Sequence, residues 1–188
     1  MRLQVILLIG ILGALGCARR ADDARVRTWL EKLPYDAFRF GRPDMVCMTK
    51  SQWLEEGRKI SGIEFALREL LRRNDPNVEL PQVAFALGFL GDDDSIAALT
   101  GSLSHQNYKV RLQAAVALGE LGANNAVDNL CHVALADDSE NVRANAVVAL
   151  GKIGGPKAIS CLETALNDKS SFVAKGARRT LDKLTQAR

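Results

Sequence analysis

One segment of this chain recurs at a fixed spacing, and that recurrence limits its possible folds more than any other feature. VRLQAAVALGELG, Val110 to Gly122, is preceded by VAFALGFLG, Val83 to Gly91. It is followed by VRANAVVALGKIG, Val142 to Gly154, and by a degraded copy, FVAKGARRTLDKL, at Phe172 to Leu184. The shared leucine advances from Leu87 to Leu118, Leu150 and Leu181, in steps of 31, 32 and 31 residues. A unit of this length cannot bury its apolar face alone, so successive copies must stack into one continuous core. Within a copy, Val110, Ala114, Ala117, Leu118 and Leu121 fall on one face of a helix. A hydrophobic content of 47% with only 5% aromatic residues suits helices packed closely through Ala and Leu.

The paired glycines have separate roles. Gly88, Gly119 and Gly151 lie one turn before the helix end, where the missing side chain permits close approach of a neighbour. Gly91, Gly122 and Gly154 lie where the helix stops and suit a left-handed cap. A second helix follows each: DSIAALTGSL, NAVDNLCHVAL and PKAISCLETAL. Asp94 and Asn125 are expected to accept the free amides at two of these starts, and Pro156 fits the first helical position of the third. Asp137-Asp138-Ser139 and Asn167-Asp168 open the turns into the following copies.

This order resembles HEAT repeats, in the HEAT-like subtype of phycobilisome lyases, whose pattern is VR-x-x-A-x-x-ALG-x-LG followed by a leucine-rich helix. The resemblance covers about Ile63 to Leu184 and is most specific over Val110 to Leu166. It implies an all-α fold, an α-solenoid (α-α superhelix) of about four helical-hairpin repeats. It also implies that Arg111 and Arg143 pair with acidic residues of the adjoining turns. The copy at Val83 lacks this Arg and the last has Ala174 in its place, so the series is short. The final copy has Asp182 and Thr185 where glycines stood and carries Lys175, Arg178, Arg179, Lys183 and Arg188, the polar outer face of a terminal cap. A basic docking site is the competing reading of the same residues.

Upstream, Met1 to Gly16 has a basic start at Arg2, an apolar run and small residues, the layout of a secretory signal. The run from Leu3 to Gly16 is shorter than the roughly 20 residues a membrane-spanning helix needs. Ala14-Leu15-Gly16-Cys17 resembles the lipobox of bacterial lipoproteins, which implies acylation of Cys17; Ala14 and Leu15 depart from its preferred form. A signal cut near Ala18, or an uncleaved apolar start, stays open, and Arg19 and Arg20 oppose export. The organisation read from the sequence is therefore a signal peptide over 1–16, an N-terminal helix and capping segment over 17–50, and the repeat solenoid over 51–188. In the middle part, Val26, Trp29, Leu30 and Leu33 predict an amphipathic helix stopped by Pro34. Pro34 to Lys50 reads as an end cover for the stack or an exposed binding loop, and Ser51 as the cap of the helix that follows. Ile63 to Arg73 reads as an amphipathic helix ended by Asn74-Asp75-Pro76.

With Cys17 acylated, Cys47, Cys131 and Cys161 remain, an odd number without zinc-knuckle or redox-pair spacing. In repeat register Cys131 falls opposite Glu163 and Cys161 opposite Asn129, so buried free thiols are expected rather than a bridge. The two histidines, His105 and His132, lack the His-Glu pairs of iron-binding HEAT hydroxylases. No phosphate loop, nucleophile elbow or carboxylate pair is present. No catalytic, metal or cofactor site is therefore expected. The net charge of +3, from 25 basic and 22 acidic residues, gives little reason to invoke nucleic acid.

The expected activity is a non-catalytic scaffold that presents a concave strip of second helices to an envelope protein, with a membrane lipid anchor at Cys17. The candidate partner-binding residues are Asp128, His132, Ser160, Glu163 and Thr164. Two alternatives are a chromophore lyase-like helper, implied by the subtype resemblance, and a nucleic-acid binder of the HEAT-like glycosylase kind.

Overall fold

The computed structural model describes residues 24–32, 50–76 and 78–186, and every regular element among them is helical. The chain divides into two compact units, residues 1–69 and 70–188. The division falls downstream of the 50/51 boundary drawn on the sequence.

In the first unit, helix α1 spans 24–31 and α2 spans Lys50–Arg58. Val26, Trp29 and Leu30, spaced for one helical face, are all buried. Trp29 and Trp53 stack with ring centroids 3.9 Å apart and planes 13° apart. Each indole Nε1–H donates to the other's backbone carbonyl, at 2.8 and 3.1 Å, so both buried donors are satisfied. Ser51 lies inside α2, which already begins at Lys50, so the expected cap is displaced. Cys17, and all of Pro34–Lys50 except its last residue, lie outside the described residues. Helix α3, Ile63–Arg72, ends as expected before Asn74, which takes a left-handed φ of 51°.

The second unit holds the repeats. First helices are α4 (Leu80–Leu90), α6 (Tyr108–Glu120), α8 (Glu140–Ile153) and α10 (Ser171–Gln186). Second helices are α5 (Asp93–Ser102), α7 (Val127–Ala136, after a 3₁₀ turn at Asn124–Ala126) and α9 (Gly155–Ala165). The first helices stack in series, α4 on α6 on α8 on α10; α5 packs on α6, α7 on α8, and α9 on α7, α8 and α10. Leu87, Leu118 and Leu150 in one layer, and Leu99, Leu130 and Leu162 in the other, are fully buried. Burying each such leucine contributes about 1.5–3 kcal/mol, which makes the two periodic columns the core of the stack.

The glycines expected to admit a neighbour do so. A Cβ on Gly88 would stand 2.7 Å from Ala117 Cα, and one on Gly119 2.7 Å from Ala149 Cα. Neighbouring backbones thus touch where the chain has no side chain. The helix ends depart from expectation at several positions. Gly122 and Gly154 have positive φ, 62° and 72°, Gly154 with ψ −160° rather than a left-handed helical ψ, but Gly91 is extended, at φ −70° and ψ 159°. Asp92 follows it at once as the cap of α5, accepting from the Ser95 amide at 3.1 Å in a reciprocal capping box, so no residues remain for a left-handed turn. Asp92 therefore takes the role expected of Asp94. Asn125 sits within the 3₁₀ turn and caps nothing, because α7 starts from Ala126 without a side-chain cap. Pro156 occupies the second position of α9, after Gly155.

Candidate partner-binding face

The five candidate residues lie on α7 and α9, and all five are exposed. Leucine and alanine packing fixes which sides of these helices turn inward: Val127, Leu130, Val133 and Ala134 on α7, and Ala158, Cys161, Leu162 and Ala165 on α9. Asp128 and His132 are one turn apart on the outward side, as are Ser160 and Thr164. Asp128 reaches α9 through Lys157, at 3.0 Å, in an ion pair exposed on both sides and so contributing little to stability. The Thr164 hydroxyl donates to the Ser160 carbonyl at 3.1 Å. His132 and Glu163 make no hydrogen bond or ion pair among the described residues.

One seam joins the two helices. Cys131 and Cys161 form a disulfide across it with Cα atoms 5.8 Å apart, in place of the free thiols expected from repeat register. Register compares equivalent positions, which face the same way and meet only where long side chains bridge them, as Lys152 reaches Glu120 at 2.7 Å. Residues that meet across the seam are the leading edge of one helix and the trailing edge of the next, offset by 29 or 30 residues rather than 31 or 32. The Asp128–Lys157 pair and the Gly119–Ala149 contact have the same offset. Further along the seam, a depression of about 340 Å³ opens among Leu135, Thr164, Asn167, Lys169 and the Arg143–Asp168 pair. Lys157 and Leu135 thus belong to the face beside the expected residues, with the Cys131–Cys161 bridge beneath it. The 29–30 offset was the signal that could have found them.

Beneath the face runs a ladder built from the turns. Arg111 donates through Nε and Nη2 to Asp137 at 2.7 and 2.9 Å, and through Nη1 to the carbonyls of His105 and Gln106. Arg143 repeats this arrangement one copy later, with Asp168 at 2.8 and 3.0 Å and the carbonyls of Asp137 and Asp138. Each guanidinium therefore ties two successive turns together, as the repeat resemblance implies. Hydrogen bonding to Asp137 raises the Arg111 pKa, and hydrogen bonding to Asp168 raises that of Arg143; burial opposes both shifts. The Arg143 hydrogen bond holds the Asp168 carboxyl below its ordinary value against a smaller effect of burial. Burial pushes Asp137 up, but the hydrogen bond from Arg111, the Ser139 amide and nearby positive charge together bring it below its ordinary value.

His105 stands where the next two turns carry Asp137 and Asp168. Its Nδ1 accepts from the Asn107 amide at 3.0 Å, as Asp137 accepts from Ser139 and Asp168 from Ser170. With Nδ1 accepting, Nε2 carries the proton and donates to Asn74 Oδ1 at 2.9 Å. Both ring nitrogens are thus engaged in a turn. Among the described residues no three His, Cys, Asp or Glu side chains converge as a metal site.

Comparison with known families bears on the whole stack. The HEAT repeats family matches residues 63–140 and, in an overlapping stretch, 102–182. The chain belongs to the HEAT-repeat family. The HEAT match covers α3 to α9, α10 as far as residue 182, and both rungs of the ladder. A comparison with curated proteins found no match. HEAT repeats in general mediate protein interactions, and the HEAT stack here is an interaction scaffold in that sense.

Proposed function

We propose that this HEAT-repeat protein is a non-catalytic scaffold of the cell envelope, held at a membrane by lipid on Cys17, whose α7–α9 face binds a partner protein. The observation that carries the reading is the Cys131–Cys161 disulfide. Disulfides persist in oxidising compartments and are rare where thiols are kept reduced, which supports export and agrees with the signal-like start. The same bond fixes the spacing of the two helices before any partner arrives, so less freedom is lost on binding. The lyase-like alternative rests only on the repeat-subtype resemblance, and the signal-like start argues against it because lyases of that kind act on cytoplasmic proteins.

Two experiments test this. The protein isolated from its native host is expected to begin at an acylated Cys17 by intact mass; a chain still beginning at Met1 would refute the address. Asp128→Lys with Glu163→Lys should remove partners that co-purify with the wild-type chain. Retention of every partner by that double variant would count against the face.

A further inference from the structure

The face of α10 that solvent sees differs in kind from those of the helices before it. Positions buried as Ala84, Ala115 and Val147 in successive copies are occupied by the exposed Arg178, and the glycine column Gly88, Gly119, Gly151 continues as the exposed Asp182. A cap needs only to be polar, yet this one is mainly of one sign. Lys175, Arg178, Arg179 and Lys183 fall with Asp182 within an arc of roughly 140° on a 3.6-residue helix. Phe172 lies in the same arc and is 54% exposed, the most exposed large apolar side chain among the described residues. None of the four cations is in an ion pair among the described residues, whereas Lys152 and Lys157 on α8 and α9 are paired with Glu120 and Asp128.

We propose that α10 lies against an anionic lipid surface, as a second membrane contact beside the lipid anchor. Long cationic side chains on one convex helix, with an aromatic ring among them, complement a flat sheet of negative headgroups and require no groove. The choice of lipid over nucleic acid rests on the envelope reading, through the disulfide.

The test uses the full-length Cys17→Ser chain, which cannot be acylated, and compares its partition onto vesicles containing phosphatidylglycerol with that onto pure phosphatidylcholine vesicles. The apolar N-terminal run is common to all variants, so the change in this ratio between variants isolates α10. Each cation contributes about fivefold near such a surface, so Arg178→Gln with Arg179→Gln should lower the ratio about 25-fold. Lys59→Gln with Lys109→Gln, the same charge change on exposed residues elsewhere, should change it less than twofold. Circular dichroism of both variants checks that the fold is kept. An unchanged ratio in the α10 variant, or an equal fall in the control, overturns the proposal. Arginine-dependent retention by duplex DNA without vesicle binding would also overturn it and reassign the arc to nucleic acid. The mass measurement at Cys17 decides the envelope reading separately.

Discussion

Replacing Arg143 with Gln should be among the most damaging single changes in the repeats. Arg143 is 2% exposed, and the Asp168 side chain it meets is 5% exposed. Gln removes the charge, leaving Asp168 with the Ser170 amide at 2.7 Å and leaving the Asp137 and Asp138 carbonyls short of a donor. Removing one partner of a buried pair costs about 3–5 kcal/mol, because the remaining charge is desolvated without compensation. Arg111→Gln should cost less, about 1–2 kcal/mol, since its side chain is 16% exposed and water screens part of the loss. Urea unfolding followed by far-UV circular dichroism measures both; Trp29 and Trp53, the chain's two tryptophans, lie outside the repeats and would not report this region. The pH dependence gives a second check. In the wild type the lowered Asp168 pKa contributes stability that is present above the unfolded value near 3.9 and is lost as pH falls through the folded one. Without Arg143 burial favours the protonated acid, so the gap between wild type and variant should narrow as pH drops from about 5 towards 2. A cost below about 1 kcal/mol, or a gap that ignores pH, would refute the ladder as a source of stability.

Other substitutions probe the remaining elements. Gly119→Ala places a methyl against the Ala149 backbone and should destabilise by about 1–3 kcal/mol, while Gly101→Ala, in open space on a helix, should stabilise by about 0.5–1 kcal/mol; thermal melts compare the two. Cys131→Ser with Cys161→Ser removes a cross-link between residues 30 apart and should cost about 3–4 kcal/mol by the chain-entropy estimate. A dithiol should bring the wild type to the same unfolding midpoint; a midpoint insensitive to reductant would contradict the bond. Asn74→Ala forces a left-handed φ on alanine and removes the His105 partner, so it should cost about 1–2 kcal/mol by denaturant titration, with Asn74→Gly recovering the backbone share.

Much of this architecture was legible because a repeat writes its packing into local sequence. The leucine and glycine columns recur at the period, and burial of Leu118 or contact at Gly119 depends on residues that each copy supplies in the same way. The pairing of Arg111 and Arg143 with the adjoining turns was legible for the same reason, through the resemblance that the pattern carries. Caps were less so: Asp92 and Asp94 are both able to accept amides, and only the path of the chain past Gly91 selects between them.

By itself the sequence determined the period, the helical class and the identity of the inward columns, since these follow from residue type at fixed spacing. Only the tertiary structure decided what meets across the seams. Stacked helices touch along opposite edges, so short side chains meet at an offset two or three residues short of the period, and only a long one such as Lys152 bridges to its register equivalent, Glu120. That offset joins Cys131 to Cys161 and Asp128 to Lys157, and repeat register alone kept them apart.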